Sequence, residues 1–366
     1  MKKFLFFLTV LTALSSMNSQ VDSTKATTFS GSVDGYYRWS ANGGSSLNNV
    51  TSFTNSSNSF ELGMAQIRAD HSFGKVSATV ELGWGRRSEE FSYNEYNYGN
   101  ETLAMINQAY LTYSPTEKIK LTAGKFGTHI GYEVLNTYSN RNYSMSYMFS
   151  YGPFFHTGLK ADISLGGKSA FMVGIANLTD FTTSDSSTKV GIAQFSTATT
   201  DSKWKFFLNY QGYGGVSTPE MINPGYALYK SLNQFDLVVN GSLSDKFSVG
   251  LNSTIQSVKL AGDSSSWWGT ALYFNYDPSS KFGLTFRGEY FGDKDGLKLG
   301  YTDPVTTDFT GVNMLSLTLS GNYKVGPLTI IPEIRLDNSS EDYFYNSSDN
   351  GTSSAFSTLI AAVYKF

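Results

Sequence analysis

The sequence predicts an all-β protein: one transmembrane antiparallel β-barrel of about 16 strands, with long extracellular loops and short periplasmic turns. Three observations predict it. Residues 354–366 place Ile360, Ala362, Tyr364 and Phe366 two apart, on one face of a strand that ends the chain on an aromatic ring. Such a final strand must pair with the first, because lipid tolerates no open sheet edge. Segments of the same period recur along the chain, and the connections between them alternate between short and long.

Composition agrees. Aromatic residues make up 15% of the chain and charged residues only 16%. Beyond the N-terminus no apolar run reaches the ~20 residues a helical span needs. Mean hydropathy is nevertheless negative, as expected where only alternate residues meet lipid. The absence of Cys excludes disulfides and a lipid-anchored lipoprotein.

The chain opens with Lys2 and Lys3, an apolar run from Phe4 to Leu14, and small residues up to Ser19. This pattern predicts a cleaved secretory signal over residues 1–19, with the barrel domain over residues 20–366. Loss of the two lysines takes the formal charge from −3 to −5. A mildly acidic chain argues against nucleic acid as a partner.

Strands follow in order. Phe29, Gly31, Val33, Gly35, Tyr37 and Trp39 alternate with Ser30, Ser32, Asp34, Tyr36 and Arg38. Val76, Ala78, Val80, Leu82 and Trp84 alternate with polar residues that include Glu81, and Trp204, Phe206, Leu208 and Tyr210 with Lys205 and Asn209. Later runs start at Phe247, Phe282 and Leu315. Charge at strand centres suits a wet lumen, and aromatic strand ends suit the membrane interfaces. Residues 170–176 and 190–197 alternate poorly.

Short turns are predicted at Phe73-Gly74, Ser114-Pro115-Thr116, Leu165-Gly166-Gly167, Thr199-Thr200-Asp201, Ser244-Asp245, Asp277-Pro278-Ser279-Ser280 and Val325-Gly326-Pro327, where Gly, Pro, Asp and Ser supply hairpin dihedrals. Eight long polar connections lie between them, over residues 41–57, 87–101, 128–153, 179–188, 213–231, 260–265, 292–311 and 339–353. Both termini then fall on the periplasmic side.

The third long connection is the most distinctive. It runs from Gly124-Lys125-Phe126 through Gly131-Tyr132-Glu133 and Asn142-Tyr143-Ser144 to Pro153-Phe154-Phe155-His156-Thr157-Gly158. These four pieces, with Gln108-Ala109-Tyr110-Leu111 before them and Asn177-Leu178 after, resemble the β-barrel porin-2, or OmpL-like, family of Bacteroidota. The resemblance is most specific across residues 104–180. It implies an outer-membrane channel for small hydrophilic solutes or ions, without assigning a substrate.

A connection of this length is uncommon unless functional or disordered, and its Tyr, Phe and Met content argues against disorder. We expect it to fold into the lumen. His129, Glu133, Arg141, Tyr143 and His156 are then the candidate constriction residues. The alternative is that the tyrosines pack the loop to the wall while Glu133 and Arg141 satisfy one another. Expected lumen-lining charges are Arg38, Lys120, Lys160, Lys205, Arg287 and Arg335 against Glu81, Asp162, Asp236, Glu289 and Glu333, with Asp34 beside them. They balance one another, but Lys246, Lys281 and Lys324 make the periplasmic rim basic below acidic outward loops, and the expectation is a slightly anion-preferring pore. Tyr364 and Phe366 are the candidate barrel-assembly signal.

Expected partners are outer-membrane lipid and lipopolysaccharide, the barrel-assembly machinery, small solutes and, through lipid-facing Gly31 and Gly35, two further copies in a homotrimer. No cofactor is implied. Asp293-Lys294-Asp295-Gly296 and Asp349-Asn350-Gly351 are fragments of a Ca²⁺-loop pattern without its remaining ligands. The alternative functions are a plugged barrel acting as an adhesin or assembly component, and an outer-membrane hydrolase. The hydrolase lacks a nucleophile–base–orienter motif; His156 with a loop serine such as Ser144 is a conceivable pairing that no local motif supports.

Overall fold

A computed structural model describes residues 26–43, 48–97, 99–184, 186–215, 221–223, 226–227, 229–260 and 263–366. The proposed signal, residues 1–19, lies outside them. Sixteen strands close an antiparallel barrel in sequence order. They are β1 (Ala26–Ser40), β2 (Ser59–Phe73), β3 (Val76–Trp84), β4 (Ile106–Thr116), β5 (Ile119–Gly127), β6 (Phe155–Gly166), β7 (Ser169–Ala176) and β8 (Val190–Ala198) in the first half. The second half is β9 (Trp204–Tyr213), β10 (Ser231–Ser242), β11 (Phe247–Lys259), β12 (Ser264–Ser279), β13 (Phe282–Gly292), β14 (Met314–Val325), β15 (Leu328–Ser339) and β16 (Ser354–Lys365). No helix among the described residues is long and apolar enough to cross a membrane; the strands are the spanning elements.

The predicted alternation is visible in side-chain exposure. Phe29, Leu111, Ile175, Leu208, Ile255 and Ile360 stand exposed on the outer wall, while Ser32, Asp34, Glu81, Asn252, Arg287 and Glu333 are buried inside. Aromatic pairs mark the ends of the apolar belt. Phe247 stacks on Tyr276 at 4.5 Å near the short turns, and Trp268 meets Tyr290 at 5.2 Å near the long loops, as interfacial rings do.

The seam joins β1 to β16 from Ser32–Lys365 to Ser40–Ser357. Phe366 extends it, exchanging both backbone hydrogen bonds with Gly31 at 2.9 Å. Its ring lies over Gly31, where an added Cβ would sit 2.5 Å from the ring. The space at Gly31 is therefore filled by the chain's own terminus, which corrects the expectation that a neighbouring copy packs there.

Some local expectations change. β4 continues through Ser114 and Pro115 to Thr116, with a register irregularity between Tyr113 and Thr116, so the turn is at residues 117–118. Pro115 lacks an amide proton and is accommodated where pairing is broken. β12 starts at Ser264, shortening the sixth long connection, and β6 and β12 run through Gly166 and Ser279, which moves their turns to residues 167–168 and 280–281. The weakly alternating segments are both strands, β7 and β8. Their inward Met172, Val190 and Ile192 pack with Phe126, Leu178 and Phe181. An apolar inner face there meets a folded loop instead of water, which erases the polar half of the pattern.

Candidate functional site

The functional centre is the lumen, and residues 128–154 occupy it. Thr128 N donates to Phe154 O at 3.0 Å, so the loop leaves and re-enters the wall at adjacent points. Gly131 N donates to Asp236 at 3.0 Å, and Tyr132 N to Asn252 at 3.3 Å. Tyr132 then stacks on inward-facing Tyr273 at 4.0 Å. Its ring fills the space that a Cβ at Gly250 would need.

Wall carboxylates take the loop's backbone amides in pairs. Glu333 accepts from Tyr143 N at 2.8 Å and Ser144 N at 3.1 Å. Glu289 accepts from Tyr147 N and Met148 N, both at 2.8 Å. Asp34 accepts from the Tyr143 hydroxyl at 2.5 Å and Thr137 Oγ1 at 3.0 Å. Buried amides require partners, and carboxylates are strong acceptors for them. Each of these acceptors sits on the inward face set by strand alternation.

Arg287 binds Glu133 at 2.5 Å and donates to the carbonyls of Ser144 at 2.8 Å and Met145 at 3.3 Å. Arg335 donates to Met145 O at 2.7 Å and pairs with Asp337 at 2.8 Å. Arg141 makes a bidentate pair with Asp277 at 2.6 and 3.0 Å. Glu133 and Arg141 thus find wall partners and do not satisfy one another. Arg38, Glu81, Asp236, Arg287, Glu289, Glu333 and Arg335 face inward, but they are buried beneath loop and neighbouring side chains. Lys120, Lys160 and Asp162 form a more open cluster, with Asp162 3.6 Å from each lysine. Lys205 lines open space on the short-turn side.

His129 and His156 lie with ring centroids 5.3 Å apart. His129 Nε2 meets Tyr210 O at 2.9 Å and His156 Nε2 meets Thr128 Oγ1 at 3.3 Å, while His156 Nδ1 is buried without a hydrogen-bond partner among the described residues. Burial holds the His129 imidazole down at about 4, so it is neutral at physiological pH. Ser144 hydrogen-bonds to Glu333, Arg287 and Arg335, a network separate from His156, and the Ser144–His156 pairing does not form. Asp293 spends its carboxylate on the amides of Leu297, Lys298 and Leu299. Among the described residues no group of three or more His, Asp or Glu could hold a metal ion.

A second inward segment was not evident from sequence. Residues 85–105 form three short helices, Arg86–Phe91, Tyr93–Asn97 and Glu101–Ala104. Buried Arg87 donates to Tyr143 O at 3.1 Å and Leu135 O at 3.3 Å, and lies over the Phe53 ring at 4.6 Å. Phe53, Phe91, Phe149, Phe154 and Phe155 form one apolar cluster that binds the first three long loops together. A charged Arg-Arg-x-Glu-Glu stretch offered no hint of this, because ions usually mark solvated faces.

Two cavities flank residues 128–154. One, of about 220 Å³, opens among His129, Tyr132, Glu133, Arg141, Lys203 and Lys205. The other, of about 390 Å³, lies on the long-loop side among Tyr93, Phe154, Asp180, Gln211, Gln256 and Lys298. Between them Gln211, Gln234 and Gln256 form a hydrogen-bonded belt, at 2.7 and 3.0 Å.

A family model described as "Putative beta-barrel porin-2, OmpL-like" matches residues 26–366. No curated protein sequence matches the chain. Similar solved structures include a loop L8 deletion mutant of OmpT, an outer membrane protein of Vibrio cholerae. It is 11% identical, with a TM-score of 0.60, over 94% of this chain and 100% of that one. The outer membrane channel DcaP of Acinetobacter baumannii is 11% identical, with a TM-score of 0.60, over 93% and 97% of the two chains. Salmonella typhi OmpF, solved in complex with daunomycin, is 12% identical, with a TM-score of 0.56, over 93% and 97%. At these identities the likeness is one of fold.

Proposed function

The chain belongs to the beta-barrel porin-2, OmpL-like family of outer-membrane barrels, and from that premise we propose that residues 128–154 set what its channel passes. The observation that carries this reading is the loop's position: it is bound to opposite walls and has a cavity on each side. Small hydrophilic solutes or ions diffuse passively between those cavities, past His129, Glu133, Arg141 and Tyr143 and near His156. The passage is narrow, because the buried wall charges are neutralised by the loop and do not line a wide aqueous bore.

Anions are weakly favoured. In the short-turn cavity Glu133 and Arg141 are each paired, whereas Lys203 and Lys205 have no ion-pair partner among the described residues. Such unpaired charge raises the local concentration of counter-ions. The channel carries out no catalysis in this reading. It is exported through a signal over residues 1–19, inserted by the barrel-assembly machinery and surrounded by lipid and lipopolysaccharide. Assembly as a homotrimer belongs to the proposal and would use outer-wall surface other than Gly31.

Single-channel conductance in planar bilayers tests this reading, with Glu133→Gln and Arg141→Gln beside the parent. Discrete steps that change size or ion preference in the variants are expected. Silence from protein that still shows a heat-modifiable gel shift would overturn the channel reading. It would favour a plugged barrel that serves as an adhesin or assembly component, a reading supported by the interlocking of the first three long loops.

A further inference from the structure

The long-loop cavity carries opposite charges that do not meet. Asp180 lies on one side, in a left-handed backbone conformation with φ of 63°. That conformation is uncommon outside glycine, and at a binding site it is a sign that the surroundings hold the residue in place. The carboxylate's Oδ1 accepts from Phe154 N at 2.7 Å and Phe155 N at 3.0 Å. Lys298 also lines the cavity. Its backbone amide is held by Asp293 at 2.6 Å, which fixes the start of the side chain. Its ammonium has neither a hydrogen bond nor an ion pair among the described residues. The two charges influence one another electrostatically, yet they remain beyond ion-pair distance.

Between them the walls also carry apolar side chains: Phe154, Phe181, Leu178, Leu232 and Tyr213. Gln211 and Gln256 close the floor with amides already engaged in the glutamine belt. A third charge, Glu90, gives one oxygen to Phe53 N at 2.7 Å and keeps the other 3.6 Å from Arg86. A pure anion would meet Asp180 and Glu90, and a pure cation would meet Lys298. Neither class satisfies both sides of the cavity.

We propose that this cavity is an entry site for zwitterionic solutes, namely an α-amino acid or short peptide with an apolar side chain. The ligand's carboxylate pairs with the Lys298 ammonium and its own ammonium pairs with Asp180. Its side chain lies against Phe154, Phe181 and Leu232. The volume, about 390 Å³, suits a ligand of that size. The site deepens the channel reading and rests on it only for its purpose, since binding itself needs no conduction.

The protonation of Asp180 gives a second signature. Burial pushes its carboxyl up to about 7, against the pull of the Phe154 and Phe155 amides, Lys125 and Lys298. The other charged groups facing it across the loops are Glu90 and Glu95. A bound ammonium favours the ionised carboxylate, so binding near pH 7 releases a proton.

The experiment is isothermal titration of the detergent-solubilised, heat-modifiable protein with L-phenylalanine, L-phenylalaninamide and N-acetyl-L-phenylalanine. Phenylalanine is expected to bind at least about tenfold more tightly than either blocked form, each of which gives up one charge-assisted contact. Lys298→Met, which breaks no hydrogen bond, is expected to bring phenylalanine down to the level of its amide. Asp180→Asn keeps an acceptor for the two backbone amides and is expected to abolish proton release, read as binding heats that no longer differ between Tris and phosphate. Equal binding of all three probes, or no heat from any, overturns the site. A protein that conducts but does not bind loses only this inference; one that binds but does not conduct loses only the channel reading.

Discussion

Arg287 is fully buried and charged, a combination that is costly unless the charge is paired. Its partners are Glu133 and the loop carbonyls of Ser144 and Met145. Arg287→Gln strands the Glu133 carboxylate, and breaking such a pair costs about 3–5 kcal/mol. Larger conductance steps and faster proteolysis within residues 128–154 are expected, with the barrel's gel shift retained. The double variant Glu133→Gln/Arg287→Gln is expected to be less damaged than Arg287→Gln alone, since the Glu133 carboxylate is no longer left without its partner; a double-mutant cycle measures the coupling.

His129 sets a pH dependence of opposite origin. In the docked loop its imidazole lies at about 4, against an ordinary 6.5. The docked state therefore binds fewer protons between those values, and docking weakens as pH falls through that window. Lys160 adds to the effect and Asp162 opposes it. The full shift corresponds to ~3 kcal/mol, and to less where His129 borders the short-turn cavity. Conductance is expected to rise as pH is lowered from 6.5 toward 4, and His129→Gln to flatten that rise. A profile unchanged by the substitution would place the pH sensor elsewhere.

Strands and loops divide the work of the molecule. The wall is closed by backbone pairing, which depends on the seam between β1 and β16 and on the terminal ring over Gly31. A side chain at Gly31 meets the Phe366 ring at 2.5 Å and Gln66 O at 2.7 Å. Overpacking of this kind costs about 1–3 kcal/mol. Gly31→Val is accordingly expected to lower the urea midpoint of unfolding and the yield of the heat-modifiable form. The inward loop, by contrast, is held by side chains. Ser146 caps the helix Tyr147–Tyr151 by accepting from Phe149 N at 3.1 Å, and this directs Tyr147 N and Met148 N toward Glu289.

Across the whole barrel, charge is sorted by depth. Ions beside the loop are ion-paired or held by hydrogen bonds to its backbone, while the short-turn cavity keeps Lys203 and Lys205 without ion-pair partners among the described residues. Reversal potentials in a salt gradient are expected to show a mild anion preference. Lys203→Gln/Lys205→Gln is expected to shift it toward cations, increasingly so at low ionic strength, where screening is weak. The first three long loops share one aromatic cluster, so they resist opening as a unit.

The barrel was legible in the sequence because lipid imposes a period: one residue in two must be apolar, and the last strand must find the first. Strand number, topology and the inward face of Arg38, Glu81, Asp236, Arg287 and Glu333 all follow from that rule. β7 and β8 escaped it where Met172, Val190 and Ile192 face a folded loop. The partners of the inward charges were not legible, because they come from residues far apart in sequence. Glu133 joins Arg287, Arg141 joins Asp277, and Arg87 lies between Phe53 and Tyr143. Whether an inward charge lines water or anchors a loop depends on what covers it, and only the tertiary structure decided that.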